Sequence, residues 1–583
     1  MASIRDPRNS MATLTRSQQL LGETLTAISR AFYAVVLFSL CINVLMLAAP
    51  VYMLQVFDRV LSSRSTDTLL LLTLIIGFAI LTMAGLDAVR GNIMAKVGAW
   101  LEKRLAGTVL KGSIALPLKT GRDPSVQGLR DLQALRTFLS SNEVFPFLDS
   151  PWAPIFLLIV FLLHPILGAV AVIGALALLL LAILNEKVTR SLLTAGSSAS
   201  MLAVQHAEAA VRNADAIEAM GLMPNLIAGW DRVNAEAIDQ HTRAGLRSGV
   251  ITSMSKSVRL LLQVATLGTG ALLVIAGELT AGGMIAASIL MARALAPMEQ
   301  AIGAWRSAAN ARAAYRRMTE QLSSMPIRAE SMELPPPVGR LSVEGVSYFH
   351  PGKTEPVLRG ISFALEPGEA LGLIGPSAAG KTTLARLLLG NLEPRVGHVR
   401  LDGMDVARWN PDDRGRHCGY VPQDIELFSG SVKANIARMG EGDAERIVAA
   451  AKLVGCHEMI LRFSNGYETA VGDSGSALSG GERQRIALAR AVYGDPKFVV
   501  LDEPNASLDA VGSEALVTAL AALKERKVTV VVIGHRPYVM QHVDKILVLR
   551  QGQIQDFGPK DEVFARLAEQ AGGNKVTEIK RHG

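Results

Sequence analysis

At 583 residues the sequence exceeds what one core usually supports, so at least two domains are expected. Half of it (50%) is hydrophobic and only 19% charged, with a mean hydropathy of +0.30, which excludes an ordinary soluble chain and points to a membrane portion. The net charge of +7 is assigned to membrane-facing cytoplasmic loops and not to a nucleic-acid partner, and Cys41, Cys418 and Cys456 form no close pair that would build a disulfide framework or a zinc site.

Residues 1–30 form a polar, basic N-terminal segment without the pattern of a cleavable signal peptide. Within it Leu14, Leu20, Leu21, Leu25 and Ile28 recur at near-helical spacing, which fits an amphipathic helix on the inner membrane surface and equally fits packing against the first span. Residues 31–317 read as a transmembrane domain of six spans. The apolar runs are Ala31–Phe57, Thr68–Leu86, Trp152–Leu163, Ile166–Leu184, Leu260–Gly277 and Ala281–Leu295, against the roughly 20 residues a bilayer requires. The third is short and can be extended by Val144–Leu148; the sixth contains Arg293.

Charge orients these spans. The stretches Arg90–Arg136 and Lys187–Arg247 are rich in Lys and Arg, whereas the alternate connections are short and include Glu278–Gly283, with no basic residue. Both long segments and both termini are therefore expected in the cytoplasm. Their helical composition implies that the helices continue well below the bilayer. Lys256, Arg259, Gln263, Arg293 and Glu299 are candidates to line a path, or to sit below the bilayer, since intramembrane charge is costly. Pro151, Pro154 and Pro297 fit gating kinks or fixed bends equally. Asp215–Leu222 has short helical character that suits docking on the second domain or ordinary helix packing.

Pro335-Pro336-Pro337 marks a linker, assigned to 318–340. From 341 to 565 short β-rich runs (Leu341–Val346, Ala370–Ile374, Phe498–Leu501, Val528–Ile533, Lys545–Leu549) alternate with helical stretches, an α/β pattern with a largely parallel sheet. Residues 566–583 read as a polar, basic and poorly ordered tail.

Inside this α/β domain Gly375-Pro376-Ser377-Ala378-Ala379-Gly380-Lys381-Thr382, followed by Thr383, fits the P-loop pattern between an expected strand and a helix. Backbone N–H groups of such a loop wrap phosphates; Lys381 would hold the β- and γ-phosphates of ATP, and the Thr382 hydroxyl would ligate Mg²⁺. The strand Phe498–Leu501 ends in Asp502, placed for Mg²⁺, and Glu503, placed to polarise the attacking water. Between the two lies Leu478-Ser479-Gly480-Gly481-Glu482-Arg483-Gln484.

That stretch resembles the signature motif of the ATP-binding cassette (ABC) family, whose fold is a P-loop NTPase domain. The resemblance extends to Gln423 in Val-Pro-Gln (the Q-loop, a further Mg²⁺ contact), Ser507-Leu508-Asp509 (the D-loop) and His535 (the switch histidine). It implies that Glu503, His535 and Gln423 serve catalysis. It also implies that Ser479, Gly480, Gly481, Glu482 and Asp509 act in trans on the ATP held by a second chain. One departure concerns adenine: the usual stacking aromatic falls at His350 in Tyr348-Phe349-His350-Pro351, so His350, Tyr348 or Phe349 would make that contact.

Spans first and cassette second is the exporter order. The stretches Tyr52–Leu61, Asp149–Phe156 and Arg293–Gln300 resemble the type I secretion permease/ATPases of the protease- and lipase-exporting (PrtD-type) branch. The resemblance implies an inner-membrane homodimer, among membrane lipids, that exports unfolded polypeptides. The implied cargo is RTX-type proteins with a C-terminal signal, passed through a periplasmic membrane fusion (adaptor) protein and a TolC-like outer-membrane channel. Residues 1–30 hold no Cys/His pair, so leader-peptide processing is not expected. Two alternatives remain: export of a lipid, peptide or small molecule, signalled by ATPase stimulation by lipid or drug, and a regulatory or scaffold ATP-binding protein, signalled by negligible turnover.

Overall fold

In the computed structural model of the chain, residues 16–120, 126–324, 335–506, 508–534 and 537–579 are described. Two compact units divide it: a helical unit (Met1–Leu116 and Pro124–Pro326) and a unit whose sheets lie within Ile327–Gly583.

Among the described residues of the helical unit, six helical stretches are long and apolar enough to cross a membrane. In chain order the helices that matter below are α1 (Arg16–Leu45), α2 (Ala48–Gln55), α3 (Thr66–Thr120), α4 (Gln127–Ser140), α5 (Phe145–Asp149), α6 (Ala153–Leu163), α7 (Pro165–Arg212), α8 (Ala214–Met220), α9 (Met223–Ile275), α10 (Ala281–Gly303) and α11 (Trp305–Ser323). The 55 residues of α3, 48 of α7 and 53 of α9 far exceed one bilayer crossing, as the helical composition of the inner segments led us to expect. On α3 the large apolar side chains Phe78 and Leu81 are 75% and 73% exposed, the arrangement of a surface solvated by lipid.

Two spans are interrupted. The first passes through α2 into a π-helical turn, Val56–Val60, that aims Asp58 sideways. Its carboxylate accepts hydrogen bonds from the Thr280 hydroxyl (2.7 Å) and the Gly282 N–H (2.9 Å), adding a cap to the start of α10. The third span runs from α5 through a 3-10 turn at Ser150–Trp152 into α6, and includes the Val144–Leu148 extension. Asp149 at that break is tied to Arg90, which is 5% exposed. Arg90 Nη1 donates to Asp149 Oδ1 (2.8 Å) and to Ser39 Oγ (2.8 Å), Nη2 donates to Asp87 (2.7 Å), and the guanidinium lies 4.0 Å from the Phe145 ring centre. A charge buried here is tolerable because two carboxylates neutralise it.

Of the five polar residues proposed to line a path, Arg259 and Glu299 pair with each other at 2.5 Å, joining α9 to α10. The short α8 ends at Gly221, which takes the left-handed conformation at φ 62°. α11 continues to Ser323, past Arg317, the expected edge of the helical domain. Ala311, Ala314, Met318 and Leu322 recur on one buried face and carry the helix into the stretch assigned to the linker.

The second unit has two sheets. β1 (Leu341–Phe349), β2 (Pro356–Leu365), β4 (Val396–Leu401) and β5 (Met404–Asp405) make an antiparallel sheet in the order β2-β1-β4-β5, which the sequence reading did not anticipate. The other sheet has the order β10-β9-β3-β8-β7-β6. It contains β3 (Ala370–Ile374), β6 (Cys418–Val421), β7 (Phe498–Asp502), β8 (Thr529–Ile533), β9 (Lys545–Arg550) and β10 (Gln553–Pro559), parallel except at the β10 edge. Val499, Leu501, Val530 and Val532 face one core cluster; Phe498, Val500, Val531 and Ile533 face the other. This period of two, apolar on both faces, is why these strands read as continuous hydrophobic runs. The helices used below are α12 (Lys381–Leu388), α13 (Gly480–Val492), α14 (Ala510–Glu525) and α15 (Lys560–Ile579). α15 reaches Ile579, into the segment read as the polar, basic tail.

Candidate functional site: a nucleotide-binding loop and its acidic strand

The loop between β3 and α12 is shaped by backbone that other residues resist. Gly375 has φ 156° and a Cβ there would lie 2.1 Å from the Leu549 carbonyl oxygen; Gly380 has φ 101° and would meet a Leu358 methyl at 2.8 Å. Ala378 between them is also left-handed, at φ 63°. The loop is thereby held open against β9 and β2, with Pro376, Ser377 and Ala378 exposed, Ala379 buried, and Thr382 and Thr383 half-buried at the start of α12. Lys381 folds back over it: Nζ donates to the carbonyl oxygens of Gly375 (2.8 Å) and Pro376 (3.0 Å). Burial lowers the Lys381 pKa, and the nearby Glu503 and Asp502 carboxylates pull it back up. A loop of turned N–H groups, a helix N-terminus and an ammonium form a phosphate cradle.

β7 delivers the acidic pair. Asp502 is 1% exposed, and neither carboxylate oxygen has a hydrogen-bonding partner among the described residues. Burial pushes its pKa up, Glu503 adds to that, and the Thr382 hydroxyl and the Lys381 and Arg386 cations oppose it. A buried carboxylate beside the Thr382 hydroxyl makes, with that hydroxyl, an all-oxygen donor set that fits Mg²⁺. Glu503 follows in the left-handed region at φ 50°, a strained conformation for a residue with a Cβ. Its N–H donates to the Ile533 carbonyl (2.9 Å), and its Oε2 accepts from Gln423 Nε2 at 3.4 Å. The exposed Gln423, on the segment after β6, thus reaches the residue that follows the acidic strand.

The signature stretch opens α13 with a capping box. The Glu482 N–H donates to Ser479 Oγ (3.3 Å), while Glu482 Oε2 accepts from the Ser479 N–H (2.8 Å) and hydroxyl (2.8 Å). Ser479 is exposed, and Gly480 and Gly481 are half-buried, so this helix end presents its N–H groups outward. Asp509 caps α14, accepting from the Gly512 N–H at 2.7 Å. Ser507 and His535 lie outside the described residues.

The adenine question narrows. Tyr348 is buried, Phe349 is covered by the Arg395 guanidinium (5.0 Å), and His350 is exposed with its ring edge-on to Tyr348 at 5.6 Å. His350 is the free face of the three.

Comparison with known proteins agrees with this geometry. Residues 358–506 match the family described as ABC transporter, and residues 32–298 match the ABC transporter transmembrane region. The chain is 41% identical, over 92% of its own length and 93% of the relative's, to the type I secretion system ATP-binding protein PrsD of Rhizobium meliloti. This chain is an ABC transporter of the type I secretion branch. The transporter is also 27% identical to the toxin RTX-I translocation ATP-binding protein of Actinobacillus pleuropneumoniae, covering 92% of this chain and 76% of that one. Its fold matches a bacterial Atm1-family ABC exporter solved with ATP bound, with a TM-score of 0.81 and 22% identity over 93% of this chain and 97% of that one. The transporter binds ATP and is an ATPase coupled to export. The sequence reading missed two features of its site: the left-handed backbone of Glu503, and Gln484, a buried member of the signature motif whose side chain turns to β7. The motif gives no sign of either, because both depend on strand and helix meeting in space.

Proposed function

We propose that this transporter is the ATP-hydrolysing inner-membrane component of a type I secretion system, working as a homodimer to export unfolded polypeptides, RTX-type proteins with a C-terminal signal among them. The observation that carries this reading is the 41% identity across nearly the full length of a type I secretion relative, with both the spans and the cassette included. Domain limits of 31–317 for the spans and 341–565 for the cassette are part of the reading, as are cytoplasmic termini, supported by the Lys- and Arg-rich inner segments. An adaptor and an outer-membrane channel complete the route.

In each site the loop Gly375–Thr383 and Lys381 bind the ATP phosphates, and His350 stacks on adenine. Thr382, Asp502 and Gln423 hold Mg²⁺, which neutralises phosphate charge when bound. Glu503 orients and polarises the attacking water, assisted by His535. Ser479, Gly480, Gly481, Glu482 and Asp509 of the second chain close the site in trans. Deleting the chain, or replacing it with Glu503→Gln, is expected to abolish secretion of a polypeptide carrying the C-terminal signal. Undiminished secretion would exclude the reading. ATPase stimulation by a lipid or drug, with no response to the signal peptide, would replace it with small-molecule export.

A further inference from the structure

Gln484 lies five residues beyond Ser479 on α13 and is 1% exposed. Its Nε2 donates to the main-chain carbonyl of Glu503 at 3.4 Å, within the same chain. Glu503 is therefore held from three directions: its N–H by the Ile533 carbonyl of β8, its carboxylate by Gln423, and its carbonyl by the signature helix. A left-handed main chain is not one a glutamate adopts unaided, so the direction of its carboxylate depends on what restrains the backbone on either side. The Ser479–Glu482 capping box stiffens the first turn of α13, and Gln484 sits little more than one turn further along. A displacement of the signature end thus reaches the Glu503 carbonyl through a single rigid turn.

We propose that Gln484 is a positioning residue that ties the glutamate of its own chain to the nucleotide engaged by its own signature end, coupling the two ATP sites of the dimer. This rests on the reading that Ser479 and Gly481 complete the partner's site. When the signature end of α13 closes on the partner's nucleotide, Gln484 sets the Glu503 backbone so that the carboxylate faces its own nucleotide. Neither site then turns over efficiently unless the other is filled.

The test uses the full chain, purified and reconstituted in lipid nanodiscs. Gln484→Met keeps the side-chain volume without a donor, and Gln484→Glu keeps the shape without the amide N–H₂. For both, kcat is expected to fall about tenfold while the KM for ATP stays within about twofold. The Hill coefficient for ATP should fall toward 1 in both; the melting temperature should stay within about 2 °C of wild type in Gln484→Met and fall in Gln484→Glu, whose carboxylate is buried. If Gln484→Met yields no folded protein, Gln484→Glu carries the test. Wild-type kcat and Hill coefficient in the variants, with Glu503→Gln inactive, would overturn the proposal. So would a reduced kcat with an unchanged Hill coefficient, or a wild-type protein that shows no cooperativity. Normal turnover in Glu503→Gln would instead remove the catalytic assignment on which the proposal stands.

Discussion

Asp502 ends a strand whose five residues are all buried, and both its oxygens lack hydrogen-bonding partners among the described residues. Its folded-state pKa is raised, chiefly by burial. The sign of the linkage follows: the folded protein holds this proton more tightly than the unfolded chain does. The resulting stabilisation is complete below the ordinary carboxylate range and is lost as pH rises through the raised value. Above that raised value the ionised group weakens the nucleotide-free protein. Asp502→Asn removes the charge at nearly constant shape and should raise the melting temperature without nucleotide by about 2–4 °C, while abolishing ATP turnover. Differential scanning fluorimetry with and without Mg·ATP checks this, and the stabilisation by Mg·ATP should shrink in the variant. The residue types at this site were legible from the sequence because phosphate chemistry demands them at close spacing along the chain. The backbone strain at Glu503 was not, since neighbouring residues carry no trace of the left-handed turn.

Among helices, α4 and α11 are joined by an ion pair more decisive than those on the surface. Arg317 donates to both oxygens of Asp131 (2.9 and 2.7 Å), and the Asp131 side chain is only 4% exposed, with Gln127 as a further donor at 2.8 Å. Removing the arginine strands a buried carboxylate. Arg317→Met should destabilise the helical unit by about 2–4 kcal/mol, and adding Asp131→Leu should restore most of that loss, because an apolar pair of similar volume carries no unpaired charge. Thermal unfolding in nanodiscs reads both, and additive losses would exclude the pairing. Apolar run length located the spans, because a bilayer sets that length physically. The break at Ser150–Trp152 falls at Pro151, one of the prolines expected to bend a helix, whereas the other interruption left no sign in the sequence. The π turn at Val56–Val60 serves a hydrogen bond between Asp58 and Thr280, 222 residues apart, and no local pattern encodes such a partner.

For the whole assembly, the proposed trans arrangement makes a prediction that a single-chain site does not. A mixed dimer of one Ser479→Arg chain and one Lys381→Ala chain retains one complete site, formed by Lys381 of the first and Ser479 of the second. It should occlude about one ATP per dimer, whereas each variant's own homodimer occludes none; a radiolabelled-nucleotide trapping assay counts them. The parallel sheet was readable because strands buried on both faces are unbroken apolar runs, as in Phe498–Leu501. The antiparallel sheet was not, because strands such as Val396–Leu401 mix exposed and buried residues and carry charge. Sheet order has one more consequence, for the birth of the protein. β3, which leads into the phosphate loop, pairs with β8 and β9, and Gly375 is seated against Leu549. As the ribosome delivers the chain, the loop and its β2 wall are made early, but its β8 and β9 neighbours arrive more than 150 residues later, counting from Ile374 to Thr529. The nascent cassette therefore stays without its nucleotide site until Thr529 and the strands after it have been added, long after the spans, and a chain cut short before Thr529 should fail to retain ATP.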